Sequence, residues 1–186
     1  MKFDESLLDE LETLRTRLRA LELRLGAAER EALPDHDFDV LLTESFGARL
    51  AFLLDQVRVV VPAAELAPLP EAPEWLLGLL TLRGRSIPVV DVATRLGASN
   101  RELDPSDLIV VTETNERELA FVVQRVDGVT AVERDRVESS VHETPHAPYV
   151  LGTFHTDGHS VLVIGISHLI GQLSELGSVG AEARAQ

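Results

Sequence analysis

A chain of 186 residues with a formal net charge of −14 has room for one domain and a modest extra segment. The acidic excess leaves no basic stripe for nucleic acid or an anionic membrane surface. The absence of cysteine excludes disulfides, thiolate zinc sites and cysteine nucleophiles. Hydrophobic residues make up 45% of the chain and aromatics only 4%, so the core must be mostly Val, Leu, Ile and Ala.

The chain opens with the acidic stretch "MKFDESLLDELE", which has no uninterrupted apolar run and does not read as a secretory signal. No later run approaches the length of a membrane span. The expectation is a cytoplasmic chain whose partner is a protein or a small molecule. Up to Pro34 the leucines recur at helical spacing. Leu7, Leu11, Leu14, Leu18, Leu21 and Leu25 step alternately by four and three, an a/d heptad seam with Ala28 and Ala32 continuing it. Asp4 and Ser6 suit the N-cap, and Gly26 weakens the helix by about 1 kcal/mol relative to Ala. In a parallel pair of such helices each g position faces the following e position of its partner. Glu10–Arg15, Arg17–Glu22 and Arg24–Glu29 are then all attractive. The seam therefore predicts a self-associating amphipathic helix over 1–34, with a homodimer as the simplest product. A helix laid on its own domain is the alternative.

Beyond Pro34 the period changes. Short Val, Leu and Phe runs split by turn residues predict strands near 38–43, 48–54 and 57–62. "LPEAPEWLLGL" carries three prolines and reads as a loop feeding a short helical turn at 74–78. Strands follow near 79–83 and 85–91, then a helical turn at 92–96. After a polar connection come strands near 107–113, 118–124, 127–133, 149–155 and 160–165. "GISHLIGQLSEL" reads as a closing helix, and 173–186 as a frayed tail. Strands about ten residues apart indicate antiparallel barrels or sandwiches, because a doubly wound fold needs long helices between strands.

Catalytic chemistry finds little support. His142/His146 and His155/His159 are each four apart, the spacing of a helical zinc pair, but they stand in Pro/Gly-rich or strand context without an evident third ligand. Ser139-Ser140 with His142 forms no nucleophile elbow. No metal, cofactor or catalytic residue is expected.

"LLGLLTLRGRSIPVVDVATRLG" carries a specific signature. Gly78, then Leu82-Arg83-Gly84, then Pro88-Val89-Val90-Asp91-Val92 resembles the CheW domain, the adaptor module of bacterial chemosensory arrays. "LLDQVRVV", "AFVVQRVDGVTAV" and "YVLGTFHTDGHSVLVIGISHLI" match in order, so the resemblance covers about residues 37–172. It implies a mostly β fold of two five-stranded SH3-like barrels over 35–172, with a groove between them, preceded here by the amphipathic α-helix. It also implies a non-catalytic adaptor that bridges chemoreceptor hairpin tips to the regulatory domain of the histidine kinase CheA, meeting the membrane only through receptor arrays. By position, Val57, Gly78 and Val129 match receptor-groove residues. Both valines are equally readable as core on sequence alone. Gly78 would let a receptor helix approach closely, so Gly78→Arg should block that helix while sparing the fold. Arg83, at the reversal that Gly84 permits, would support the binding surface, with an ion pair to Asp91 as the plain alternative. Pro88 is expected on an edge or bulge. The sequence departs from the family pattern at Val59, Gln124 and Gly165, where acidic or polar residues are usual. An accessory scaffold acting through the N-terminal helix is a second reading, and a small-molecule-binding barrel a third.

Overall fold

The computed structural model describes residues 32–97, 103–115, 117–139, 149–167, 169, 170 and 173. The heptad leucines lie outside these residues, as does the expected N-terminal helix.

The described residues are mostly β. In chain order they form β1 (Phe38–Ser45), β2 (Ala48–Leu53), a 3-10 turn (Leu54–Gln56), β3 (Val57–Pro62), β4 (Leu76–Leu82), β5 (Arg85–Val90) and the one-turn helix α1 (Val92–Arg95). Then follow β6 (Leu108–Thr114), β7 (Arg117–Val123), β8 (Arg125–Val132), a 3-10 turn (Arg134–Arg136), β9 (Glu138–Ser139), β10 (Val150–Thr156) and β11 (His159–Ile164). A closing helical stretch starts at Ile166.

Hairpin turns set the registers. Phe46-Gly47, Arg83-Gly84 and Asp157-Gly158 all have positive φ at both central positions, the turn whose twist matches that of paired strands. The strands assemble into a six-stranded sheet, β8-β1-β2-β11-β10-β9, and a five-stranded sheet, β3-β6-β7-β5-β4. These differ from two five-stranded closed barrels. Among the described residues each ladder keeps two free ends, and the two-residue β9 adds the sixth strand by pairing with Gly152 and Thr153.

Strand β4 corrects the expectation of a helical turn at 74–78. Leu76 already pairs with Val90, and Gly78 with Val89 across a bulge. A turn at 74–75 leads into it, with Leu76 N–H donating to Pro73 O at 2.9 Å. The ladder to β5 outweighs the local helical preference of "EWLL". Pro88 is likewise not on an edge strand, since β5 lies between β7 and β4. It stands just before Val89 and Val90, the stretch that pairs with β7.

The strands read as near-continuous apolar runs because both faces are covered. Along β2, Leu50 and Phe52 face one cluster while Ala51 and Leu53 face another. Along β7, Leu119 and Phe121 alternate with Ala120 in the same way. One face of each sheet thus has its own core: Val40, Phe154 and Val161 in the six-stranded sheet, Ile87, Ile109 and Val111 in the five-stranded one. The other faces meet in a shared core of Leu41, Leu50, Phe52, Val110, Phe121 and Ile164. Phe52 and Phe121 meet there at 4.9 Å between ring centres, tilted by 32°, a favourable aromatic geometry. Leu33, one residue before Pro34, is buried in the core of the six-stranded sheet.

Candidate partner-binding surface

The shared core has an exposed rim on β8. Residues 125–132 of this strand alternate between exposed and half-buried until Val132. Val129 lies directly opposite Leu41 of β1, so the two share a face of the sheet. Leu41 is buried in the shared core. Val129 continues that apolar face into solvent at 55% exposure, and among the described residues it is the only exposed large hydrophobic side chain. Val57 opens β3, an edge strand of the other sheet, and is half-buried against the same shared core. Val126, also on β8, packs there too. Val57 thus packs on the shared core from the five-stranded sheet, while Val129 stands exposed on the Leu41 face of the six-stranded one.

The charged part of the rim is ordered. Arg125 on β8 bridges Glu44 of β1 at 2.7 Å and Asp127 at 2.6 Å. The hydrogen bond to Asp127, then the charges of Asp127 and Glu44, hold its guanidinium pKa above the usual arginine value. The group is exposed, so this pair orients the strand more than it stabilises it.

Gly78 has a different role from the one its position suggests. It is buried on β4 with φ +145°, and an added Cβ would lie 2.6 Å from Ala67 O and 3.1 Å from Leu66 Cβ. The space above it is filled by the chain's own 66–67 segment. A side chain there would disturb the fold itself, so Gly78→Arg is no clean probe of a groove. Gly84 has no atom within 4 Å of its would-be Cβ and is required only by its φ of +80°.

Arg83 occupies the other turn position with φ +51° and is exposed. It has no ion-pair or hydrogen-bond partner among the described residues. The alternative partner, Asp91, is 1% exposed and committed elsewhere. Its carboxylate accepts from Thr94 N–H at 3.2 Å and from Thr94 Oγ1 at 2.7 Å, capping α1. The ion pair with Asp91 is excluded, and the Arg83 guanidinium stands free at the hairpin tip.

The positions that depart from the family pattern have structural employment. Val59 packs against the core of the five-stranded sheet. Gln124 accepts from Phe46 N–H at 2.6 Å, tying the β1–β2 turn to the end of β7. Gly165 is buried and donates to Tyr149 O at 2.9 Å.

Sequence reasoning missed one constellation. The Arg95 guanidinium lies 4.8 Å from the centre of the Trp75 ring and 4.6 Å from that of Tyr149. Its Nη2 also donates to the Tyr149 hydroxyl. A signal was present: the only Trp and the only Tyr open two copies of one pattern, Trp75-Leu76-Leu77-Gly78 and Tyr149-Val150-Leu151-Gly152.

Fold and surface together define a class: a two-sheet β module with a shared core, an exposed valine on β8 and an exposed arginine at the tip of the β4–β5 hairpin. The chain belongs to the CheW-like domain family, whose model matches residues 39–174. It is similar to the chemotaxis protein CheW of Thermotoga maritima, 30% identical over 138 residues, 74% of this chain and 91% of that protein. CheW of Treponema pallidum is 26% identical over 144 residues, 75% of this chain and 81% of that one. The scaffolding protein TtCheW from Thermoanaerobacter tengcongensis shares the fold with a TM-score of 0.63. The match is 23% identical and covers 69% of this chain and 88% of that one. Among the described residues no helix is long and apolar enough to cross a membrane.

Proposed function

We propose that this chain is a chemotaxis adaptor that couples chemoreceptors to the histidine kinase CheA by binding, without chemistry of its own. Family membership and relatives named as chemotaxis proteins support the pathway. The observation that carries the binding mode is Val129, an exposed valine continuous with the shared core. An apolar strip bounded by charged groups suits an amphipathic helix such as a receptor hairpin tip. In this reading Val57 and Val129 contact the receptor, and Gly78 contributes only backbone. Arg83 and Gly84 present a guanidinium to the CheA regulatory domain or the receptor, a role for a planar, permanently charged head. The protein then works in the cytoplasm, reaching the membrane through its array.

A second reading rests on the heptad leucines Leu7 to Leu25. Residues 1–34 would pair two copies, 35–172 would form the adaptor domain and 173–186 a tail. The protein would then organise arrays as an accessory scaffold. Pull-down of the full chain against the receptor cytoplasmic tip and the CheA regulatory domain tests the first reading. Capture of both supports it, and capture of neither ends it. Dimerisation without kinase capture favours the scaffold.

A further inference from the structure

A bare edge strand offers unpaired N–H and C=O groups to any passing strand, so folds blunt it with proline, charge, a bulge or a covering segment. Three of the four sheet edges here are treated in this way. In the five-stranded sheet, β3 ends at Pro62, carries the exposed Arg58 and is bulged between Val57 and Val59. Its other edge, β4, is covered where Ala67 and Leu79 exchange two backbone hydrogen bonds of 2.9 Å. In the six-stranded sheet, β9 is only two residues long.

Strand β8 is the exception. Among the described residues no strand or turn bonds to its outer edge. Its first part is guarded by Arg125, Asp127 and the bulge opposite Leu42 and Thr43. From Gly128 to Val132 it reads Gly-Val-Thr-Ala-Val, with no charge and no proline. Val129 and Ala131 are exposed there, and alternation along the strand puts them on one face. Gly128, at φ +129°, has no atom within 4 Å of its would-be Cβ, so the backbone at this point stands open.

The charges specify what fits. Lay a second copy antiparallel along β8 with the two-fold axis at Val129. Val129 then faces Val129 of the second copy, a cross-strand apolar pair that continues the Leu41 face. Arg125 of each copy falls opposite Glu133 of the other, so the attraction occurs twice, as an isologous contact requires. The backbone of Glu133 is still extended, with φ −68° and ψ 129°, and carries the strand that far. Moving the axis by one residue, to Thr130, would instead set Asp127 against Glu133, two like charges. The present partners of Arg125 and Glu133 are Glu44, Asp127 and Arg136, exposed surface pairs that exchange at little cost.

We infer that β8 is a self-pairing edge: two copies of this chain join antiparallel through residues 128–133, with Val129 at the two-fold axis. The contact is short and buries far less than the roughly 800 Å² per partner of a stable complex, so it forms where copies are already concentrated. A receptor helix over Val129 and a second copy there exclude one another.

The chain has no cysteine, so one introduced cysteine can bridge only two copies. Residues directly opposite on antiparallel strands have Cα atoms about 4.5–5.5 Å apart, within the span of a disulfide. Full-length Val129→Cys should oxidise to a cross-linked dimer at least tenfold faster than full-length Ser86→Cys, an exposed control position on β5. Adding Glu133→Arg to Val129→Cys should slow the cross-link severalfold, because Arg125 then meets a like charge. Circular dichroism checks the fold of each variant. Equal rates for the two cysteine positions, or a rate indifferent to Glu133→Arg, would overturn the inference. Self-pairing is decided by this cross-link alone, wherever the receptor binds.

Discussion

Arg95 places its guanidinium carbon 4.6 Å from the centre of the Tyr149 ring, joining the one-turn helix after β5 to the segment that leads into β10. Trp75 covers the guanidinium from its own half of the domain at 4.8 Å. One cation is thus held between the rings of two aromatic residues far apart in the chain.

Removing that cation should loosen this junction. A partly desolvated cation–π contact contributes about 1–2 kcal/mol, and here there are two. Arg95→Met should lower stability by about 2–3 kcal/mol, read as a lower denaturant midpoint followed by Trp75 fluorescence. Arg95→Lys should recover only part of this, because an ammonium lacks the planar face that stacks. A midpoint unchanged in both variants would show that the stacking is incidental.

The two glycines of the signature should respond differently. Gly78→Ala drives a Cβ against a backbone oxygen and demands a φ that alanine rarely adopts. A loss of about 3 kcal/mol or more is expected from the two effects together. Gly84→Ala meets no atom, and Arg83 beside it already tolerates positive φ. Its loss should stay near 1 kcal/mol. Thermal melts of the two variants check the order.

Val129→Asp should leave the fold intact, since exposed substitutions usually fall within about 0.5 kcal/mol. Receptor-fragment binding should fall at least tenfold, because the charge enters an apolar strip that a helix would cover. Arg83→Ala should likewise spare the melting temperature and weaken capture of the receptor or the kinase domain. Co-sedimentation measures both, with circular dichroism as the control for folding. Full binding by Val129→Asp would move the receptor site elsewhere on the domain.

Truncation should depend on where it starts. Leu33 is buried in the core of the six-stranded sheet, and an added Cβ on Gly152 would lie 2.9 Å from its Cδ1. A chain starting at residue 31 should melt close to full length. One starting at residue 35 loses this side chain and should be less stable by about 2 kcal/mol or more. Equal melting of the two would mean the cavity closes without cost.

The heptad carries its own expectation. Sedimentation of the full chain should show concentration-dependent dimers that are lost in a Leu14→Asp, Leu18→Asp double variant. Burial of each seam leucine contributes roughly 1.5–3 kcal/mol, whereas exposed g–e pairs add only about 0.2–1 kcal/mol each and set the orientation. A monomeric full chain at all concentrations would leave residues 1–34 with another role.

The sequence by itself determined most of the strands, the position of the tight turns and the family. Apolar runs bounded by Gly, Asn and Asp are local signals, and β3 was legible at 57–62 because its β-branched run is cleanly bounded. The signature around Arg83-Gly84 was equally local, since positive φ at a two-residue turn is demanded by the turn alone. Tertiary structure decided the rest. "EWLL" has a local preference for helix, yet β4 starts at Leu76 because β5 supplies the ladder. Gly78 looked like space for a visitor, and the chain's own segment 66–67 occupies that space. Val57 and Val129 read identically in sequence, but only the second is exposed, because burial depends on which strand lies across the sheet. The strand order of the two sheets was out of reach for the same reason: a strand's pattern fixes which face is apolar, while its partners are chosen by contacts between residues far apart in the chain.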